Sequence, residues 1–157
     1  MVTRFTTFEK ADLIMPTRTA EAEWQGDLRQ GKGTMRVGSG AFEGSYSFKS
    51  RMGDETVGTN PEELIGAAHA GCYSMALSNA LASAGFTPTS VHTTARVHFN
   101  QVPGGFSINP IDLETHAIVP GIDEETFQKL AKDAKENCPV SKALSATPIN
   151  LKATLTR

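Results

Sequence analysis

Between Leu64 and Ala84 the chain carries no Lys, Arg, Asp or Glu, and this stretch limits the possible folds more than any other. It opens on Thr59-Asn60-Pro61-Glu62-Glu63-Leu64. Asn60 is a good helix N-cap and Pro61 suits the first helical position. Glu62 and Glu63 sit at the positive end of the helix dipole, and Glu63 stands where a capping-box partner belongs. Gly85 is the natural C-terminal stop. The signals predict a helix of about 24 residues, or ~36 Å, against a radius of gyration of ~15 Å for a domain of this length. Such a helix crosses nearly the whole domain. A helix uncharged all round belongs in a core or a bilayer. His69, Ser74, Ser78, Asn79 and Ser83, with much Ala and Gly between them, do not suit a bilayer. The expectation is a buried central helix. Gly66, Ala67, Ala70 and Gly71 would admit a second helix packed tightly against it.

Around this helix the chain alternates. Glu21–Asp27 and Gly33–Val37 read as short strands about the turn-prone Gln30-Gly31-Lys32-Gly33. In Phe42–Arg51 one face carries Phe42, Gly44, Tyr46 and Phe48 and the other Glu43, Ser45, Ser47 and Lys49, which is a half-buried strand. These three suggest an antiparallel meander. Val91–Phe99 and Phe106–Val119 read as further strands about Pro103-Gly104-Gly105, the second with an irregularity at Asn109-Pro110. A second, amphipathic helix starts at Asp123 as N-cap and places Phe127, Leu130, Ala131 and Ala134 on one face. Cys138-Pro139 interrupts it, and a short helix from Pro139 to about Leu144 follows. Residues 148–157 close as a last strand. The order is α+β with antiparallel sheets around a long buried helix. Residues 1–19 read as an N-terminal extension and 20–157 as a single domain, in keeping with 157 residues.

Charge and composition exclude several functions. A net charge of -2 offers no basic excess to drive nucleic-acid binding or attachment to a membrane surface. No Gly-rich nucleotide loop follows a strand, and no serine-nucleophile motif is present. The two cysteines, Cys72 and Cys138, lie 66 positions apart, which rules out a disulfide framework and a C-x-x-C motif. The N-terminus has no apolar signal-peptide core, so the expected location is the cytoplasm.

Taken alone, Cys72 is a small core hydrophobe, Cys138 a helix-boundary thiol, Glu62 a first-turn acid and Arg51 a strand-end charge. A zinc site is the main chemical rival. His69 and Cys72 share a helix face at i, i+3, and Cys138 could be a third ligand. The fourth would come from His92, His98, His116 or a carboxylate.

The run Thr59 to Leu77, with Gly66-Ala67-Ala68-His69-Ala70-Gly71-Cys72 at its heart, strongly resembles the central-helix signature of the OsmC/Ohr family, the osmotically inducible and organic hydroperoxide resistance proteins. Gly85–Thr89, Val119–Asp123 and Asn137-Cys138-Pro139-Val140-Ser141 match the same family in the same order, so the resemblance covers about residues 21–157. Gly31–Thr34 and Phe48–Arg51 look more like the OsmC branch. Residues 1–19 extend beyond the usual start, and Gly71 stands where Ala is common.

The resemblance implies an intertwined homodimer and a thiol-dependent peroxidase acting on organic hydroperoxides, with hydrogen peroxide as a further substrate. It implies Cys72 as the peroxidatic thiol and Cys138 as the resolving one. Glu62 matches the Glu of an N-P-E motif. The OsmC branch points to Arg51 as the activating cation, whereas the Ohr branch points to Arg18 or Arg29. No cofactor is implied beyond an external dithiol reductant, for which a lipoyl or thioredoxin-like protein is a candidate. The rival within the same chemistry is a redox-sensing binding protein that uses the thiol pair without turnover.

Physical chemistry adds two constraints. Burial raises a thiol pKa, and Cys72 stands ~16 Å from the start of its helix, beyond the reach of the dipole. A cation is therefore required, with Arg51, held by Glu62, as the choice. Glu62 and Cys72 are also ~15 Å apart on one straight helix. The expectation is that Arg51 and Glu62 reach the Cys72 of a second chain.

Overall fold

The structure is a computed structural model and describes residues 15–53 and 57–156. Residues 1–14 of the expected extension lie outside the described residues. Residues 15–19 carry no helix or strand, and the first strand starts at Ala20. The order is β1 (Ala20–Gln25), β2 (Lys32–Val37), β3 (Glu43–Ser47), α1 (Phe48–Met52), α2 (Pro61–Ser83), β4 (Ser90–Val102), β5 (Gly105–Ile118), α3 (Glu124–Asn137), α4 (Pro139–Ala143) and β6 (Ile149–Thr156).

The α+β reading holds, with two three-stranded sheets. β1-β2-β3 is the expected antiparallel meander. Within it the Tyr46 ring lies over Gly33, where a Cβ would come within 2.5 Å of the ring, and packs against Trp24 at 5.2 Å between centroids.

The strand expected over Phe42–Arg51 is half right. It ends at Ser47, and the backbone turns into α1. Ser47 is a helix N-cap: the Ser50 N–H donates to its hydroxyl (3.1 Å), and the Ser47 N–H donates to the Ser50 hydroxyl (2.9 Å). This reciprocal cap satisfies two otherwise orphaned donors and overrides the alternation. Arg51 therefore sits on a short helix and not at a strand end.

The second sheet corrects the expectation of purely antiparallel pairing. β4 and β5 pair antiparallel, but β6 lies parallel to β5 with Ile111 opposite Ile149. The chain crosses from β5 through α3 and α4 before returning, and a crossover of that length permits parallel pairing. The expected irregularity at Asn109-Pro110 is a cis peptide, and the β4–β5 register shifts between Val97 and Phe99.

α2 begins where the sequence predicts. The Asn60 side chain accepts from the Glu63 N–H (2.8 Å), while its amide donates to the Ser50 carbonyl (3.2 Å). The helix end is a Schellman motif: the Gly85 N–H reaches Ala82 O and the Phe86 N–H reaches Leu81 O, with Gly85 at φ 91°.

The helix is not buried all round within one chain. His69, Tyr73, Leu77 and Leu81 point into the core beside Leu113, Phe127, Ala131 and Cys138. The Tyr73 hydroxyl donates to the Ala131 carbonyl (3.1 Å), so α3 packs on this face, away from the small residues. Gly66 instead lets β4 approach, with Val97 Cγ2 3.4 Å from where a Cβ would stand. On the opposite face Ala67, Ala68, Gly71, Met75 and Asn79 are exposed, Met75 at 76%. Nothing lies within 4 Å of the Cβ position at Gly71. Among the described residues the β1-β2-β3 sheet also has little to cover it, its principal contact outside itself being with α1.

No helix among the described residues is long and apolar enough to cross a membrane.

Candidate active site

Two centres form on α2, one at its start and one at its middle. At the start, α1 and the first turn of α2 face each other. The Arg51 guanidinium grips Glu62 with two nitrogens: Nη2 donates to Oε1 at 2.8 Å and Nε to the same oxygen at 3.1 Å. Glu62 is only 8% exposed, so the pair is a charge-assisted, two-pronged contact in a partly desolvated place. The guanidinium also lies over the Phe99 ring, 4.6 Å from its centroid. Stacking and ion pair together hold the Arg51 head in one orientation. The Asn60 bond to Ser50 fastens α1 to the cap of α2, and the Ser50 hydroxyl donates to Thr59 O at 2.8 Å. The pair lines a cleft of about 530 Å³, together with Gly66, Ala67, Ala70, Val97 and Phe99.

Of the other candidate arginines, Arg29 lies over the Phe48 ring at 5.6 Å. Among Arg18, Arg29 and Arg51, only Arg51 pairs with Glu62 among the described contacts.

At the middle of α2, Cys72 meets Cys138, the residue that both ends α3 and begins α4. Both thiols are free, and each acts on the other's titration through a direct side-chain contact. Cys72 is partly exposed and Cys138 fully buried. Burial pushes the Cys72 thiol up, the Val140 N–H pulls it down, and the contact with Cys138 raises it further. Burial also works against the Cys138 thiolate. The Ser141 N–H, the Cys72 thiol, the Ser141 hydroxyl and the Val140 N–H outweigh it, and Cys138 ends below the ordinary thiol value. Among the described residues of one chain, then, no cation stands out as acting on the accessible thiol. Arg51 and Glu62 do not reach it, because Glu62 and Cys72 are ~15 Å apart along the helix.

The rival metal set does not assemble. No three His, Cys, Asp or Glu side chains converge on a possible ion among the described residues. His69 Nε2 is occupied with the Ser141 hydroxyl at 2.7 Å. His92, His98 and His116 belong to the β4–β5 pair, where His98 and Asp112 are bonded at 2.7 Å.

Three residues near these centres escape sequence reasoning. Phe99 as a platform for Arg51 depends on how β4 crosses α2, and no local pattern announces that. The second role of Asn60 is hidden for the same reason. Ser141, three residues after Cys138 at a helix start, did carry a signal: side chains at that spacing share a face.

The family model for OsmC-like proteins matches residues 53–153, the stretch that holds α2, both cysteines and Glu62. The chain is 51% identical to peroxiredoxin OsmC of Escherichia coli K12 over 130 residues, covering 82% of this chain and 90% of that one. It is 37% identical to the organic hydroperoxide resistance protein of Xanthomonas axonopodis pv. citri over 100 residues, 63% of this chain and 66% of that one. A crystal structure of an organic hydroperoxide resistance protein from Elizabethkingia anophelis superposes with a TM-score of 0.67 at 28% identity, covering 92% of this chain and 99% of that one. The higher identity to the first relative agrees with the glycine and Arg51 segments that point to the same branch. On the matched signature, the fold and these relatives, the chain belongs to the OsmC-like family, on its OsmC side.

Proposed function

We propose that this protein is a thiol-dependent peroxidase that reduces organic hydroperoxides. The observation that carries the reading is the meeting of Cys72, partly exposed, with the buried Cys138 at the junction of α3 and α4. A peroxide can approach the first sulfur, and the second stands ready behind it. The relatives named peroxiredoxin OsmC and organic hydroperoxide resistance protein support the same chemistry.

In this reading the Cys72 thiolate attacks the terminal peroxide oxygen. The O–O bond breaks, the alcohol leaves with a proton, and Cys72 becomes a sulfenic acid. Cys138 attacks that sulfur, water leaves, and a Cys72–Cys138 disulfide remains. An external dithiol, for which a lipoyl or thioredoxin-like protein is the candidate, restores both thiols by exchange. The chemistry calls for no metal, flavin or haem, and free thiols suit a reducing cytoplasm.

The working unit is a homodimer in which Arg51 and Glu62 of one protomer serve the Cys72 of its partner. Three observations support this. The outer face of α2 is uncharged, mostly small or apolar, and exposed. Among the described residues the β1-β2-β3 sheet has little to cover it. The Arg51–Glu62 pair is well formed but distant from the Cys72 of its own chain. A two-fold copy answers all three with one interface.

The test is mass spectrometry after one equivalent of cumene hydroperoxide. Wild type should form the Cys72–Cys138 disulfide, Cys138→Ser should stop at a Cys72 sulfenic acid, and Cys72→Ser should leave Cys138 reduced. Prompt oxidation of Cys138 in Cys72→Ser would reverse the roles. A disulfide that forms without dithiol-driven turnover would favour the redox-sensing alternative.

A further inference from the structure

One buried polar group has no place in the chemistry described so far. His69 is fully buried on the core face of α2. Its Nε2 lies 2.7 Å from the hydroxyl of Ser141, which is 6% exposed. Its Nδ1 is buried with no hydrogen-bond partner among the described residues. Ser141 stands in the first turn of α4, three residues after Cys138, and its hydroxyl acts to lower the pKa of the Cys138 thiol, itself 0% exposed. Three polar side chains therefore run in series, through the core, to the second thiol.

The unpartnered Nδ1 sets the direction of this series. A buried N–H without an acceptor costs more than a bare lone pair, because an N–H donor is the group least often orphaned in a folded protein. The proton of the neutral ring therefore sits on Nε2, and burial keeps the ring neutral by lowering its pKa. Nε2–H donates to Ser141 Oγ. That leaves the Ser141 hydroxyl proton free to point at Cys138, and donors aimed at a sulfur favour its charged form. The titratable groups around the sulfur are Cys72 and Tyr73 on α2, with His69 one hydroxyl away. None of them is a cation at neutral pH. Uncharged donors are thus the means available here for stabilising a thiolate.

We propose that His69 and Ser141 are positioning residues for the second half of the reaction, forming a buried donor chain that holds the Cys138 sulfur oriented and ready to attack as a thiolate. The inference rests on the reading that Cys72 is oxidised first and Cys138 resolves it. The step balances. Cys138 gives its proton to solvent. Its sulfur electron pair forms the S–S bond as the S–O bond of the Cys72 sulfenic acid breaks, and the departing hydroxide takes a proton back from solvent to leave as water. The donor chain neither gains nor loses a proton. It keeps the thiolate lone pair aimed at α2 and away from competing contacts, a task that an apolar wall could not perform.

The test uses the full-length protein and two independent readouts. In a Cys72→Ser background, the pH dependence of Cys138 alkylation by iodoacetamide gives its titration directly. Ser141→Ala should move that curve upward by about one unit or more, the loss of one charge-assisted bond. Ser141→Thr, which keeps the hydroxyl, should restore it. With Cys72 present, rapid mixing with cumene hydroperoxide separates sulfenic acid formation from disulfide closure. Ser141→Ala should slow closure about threefold or more, since the higher nucleophilicity of a more basic thiolate returns part of the lost thiolate fraction, so that dimedone traps Cys72, while the preceding oxidation changes far less. His69→Gln, which offers an amide N–H near the Nε2 position, should close faster than His69→Leu. Closure and Cys138 titration both unchanged in Ser141→Ala would overturn the proposal. A general structural lesion would slow both phases together, and this too would count against it. If wild-type Cys72 forms no sulfenic acid, the peroxidase reading fails, and the alkylation curve still decides the donor chain.

Discussion

In the proposed site, replacing Arg51 with alanine removes the cation assigned to activate Cys72. The guanidinium is oriented by two bonds to Glu62 and by the Phe99 ring, so little reorganisation is needed when a thiolate forms beside it. A unit charge ~4 Å from the sulfur is worth about 4 kcal/mol at an effective dielectric of ~20, equivalent to ~3 pKa units. The sign is fixed by the chemistry. The thiolate is the reactive form, so losing the cation raises the Cys72 pKa and moves activity to higher pH. The thiolate fraction at neutral pH falls by up to about a thousandfold. A more basic thiolate is intrinsically more nucleophilic, with a Brønsted slope of ~0.4–0.5, which returns about 15- to 30-fold. The net expectation is a loss of about 30- to 60-fold in Cys72 oxidation at pH 7, shrinking as pH rises. Single-turnover oxidation by cumene hydroperoxide, followed by the loss of ultraviolet thiolate absorbance across pH, measures it. Arg51→Lys should recover part of the rate, since it keeps the charge but not the two-pronged grip. An Arg51→Ala protein with the wild-type rate and pH profile would refute the assignment of Arg51 as the activating group.

Mixing inactive Cys72→Ser with inactive Glu62→Ala under conditions that allow chain exchange should restore part of the activity, because one hybrid site then has both an intact thiol and an intact Arg51–Glu62 pair. A fully active monomer in sedimentation would dismiss the shared site. The cleft beside Arg51, lined by Ala67, Ala70, Val97 and Phe99, should favour apolar peroxides, with kcat/KM rising by about fourfold for each added methylene that is buried, from ~0.8 kcal/mol per group. Equal kcat/KM for hydrogen peroxide and cumene hydroperoxide would contradict it. Phe127→Ala, at a fully buried core position between α3 and α2, should cost about 3–5 kcal/mol in urea unfolding. A loss under 1 kcal/mol would mean the core relaxes around the hole.

Much of this protein was legible in its sequence because the signals are local. Asn60-Pro61-Glu62-Glu63 marks the start of α2 and Gly85 its end, and caps act through neighbours a few residues away. Asp123 opens α3 for the same reason, and Cys138-Pro139 breaks it. The thiol pair and Glu62 stood out through a long motif of high specificity. Wherever distant segments compete or meet, tertiary structure decided instead. The alternation through Phe42–Arg51 favours a strand, but the reciprocal Ser47–Ser50 cap turns it into α1 and thereby brings Arg51 onto Glu62. The direction of β6 follows from where α3 and α4 deliver the chain, which its own alternating Ile149, Leu151, Ala153 and Leu155 cannot express. The uncharged α2 announced burial on every side, yet among the described residues α3, α4 and β4 cover one side of it and leave the Gly71 and Met75 side exposed. A hydrophobic pattern states how much surface must leave water. Which chain covers it, and which side chains then share a site, depends on contacts between residues far apart in sequence.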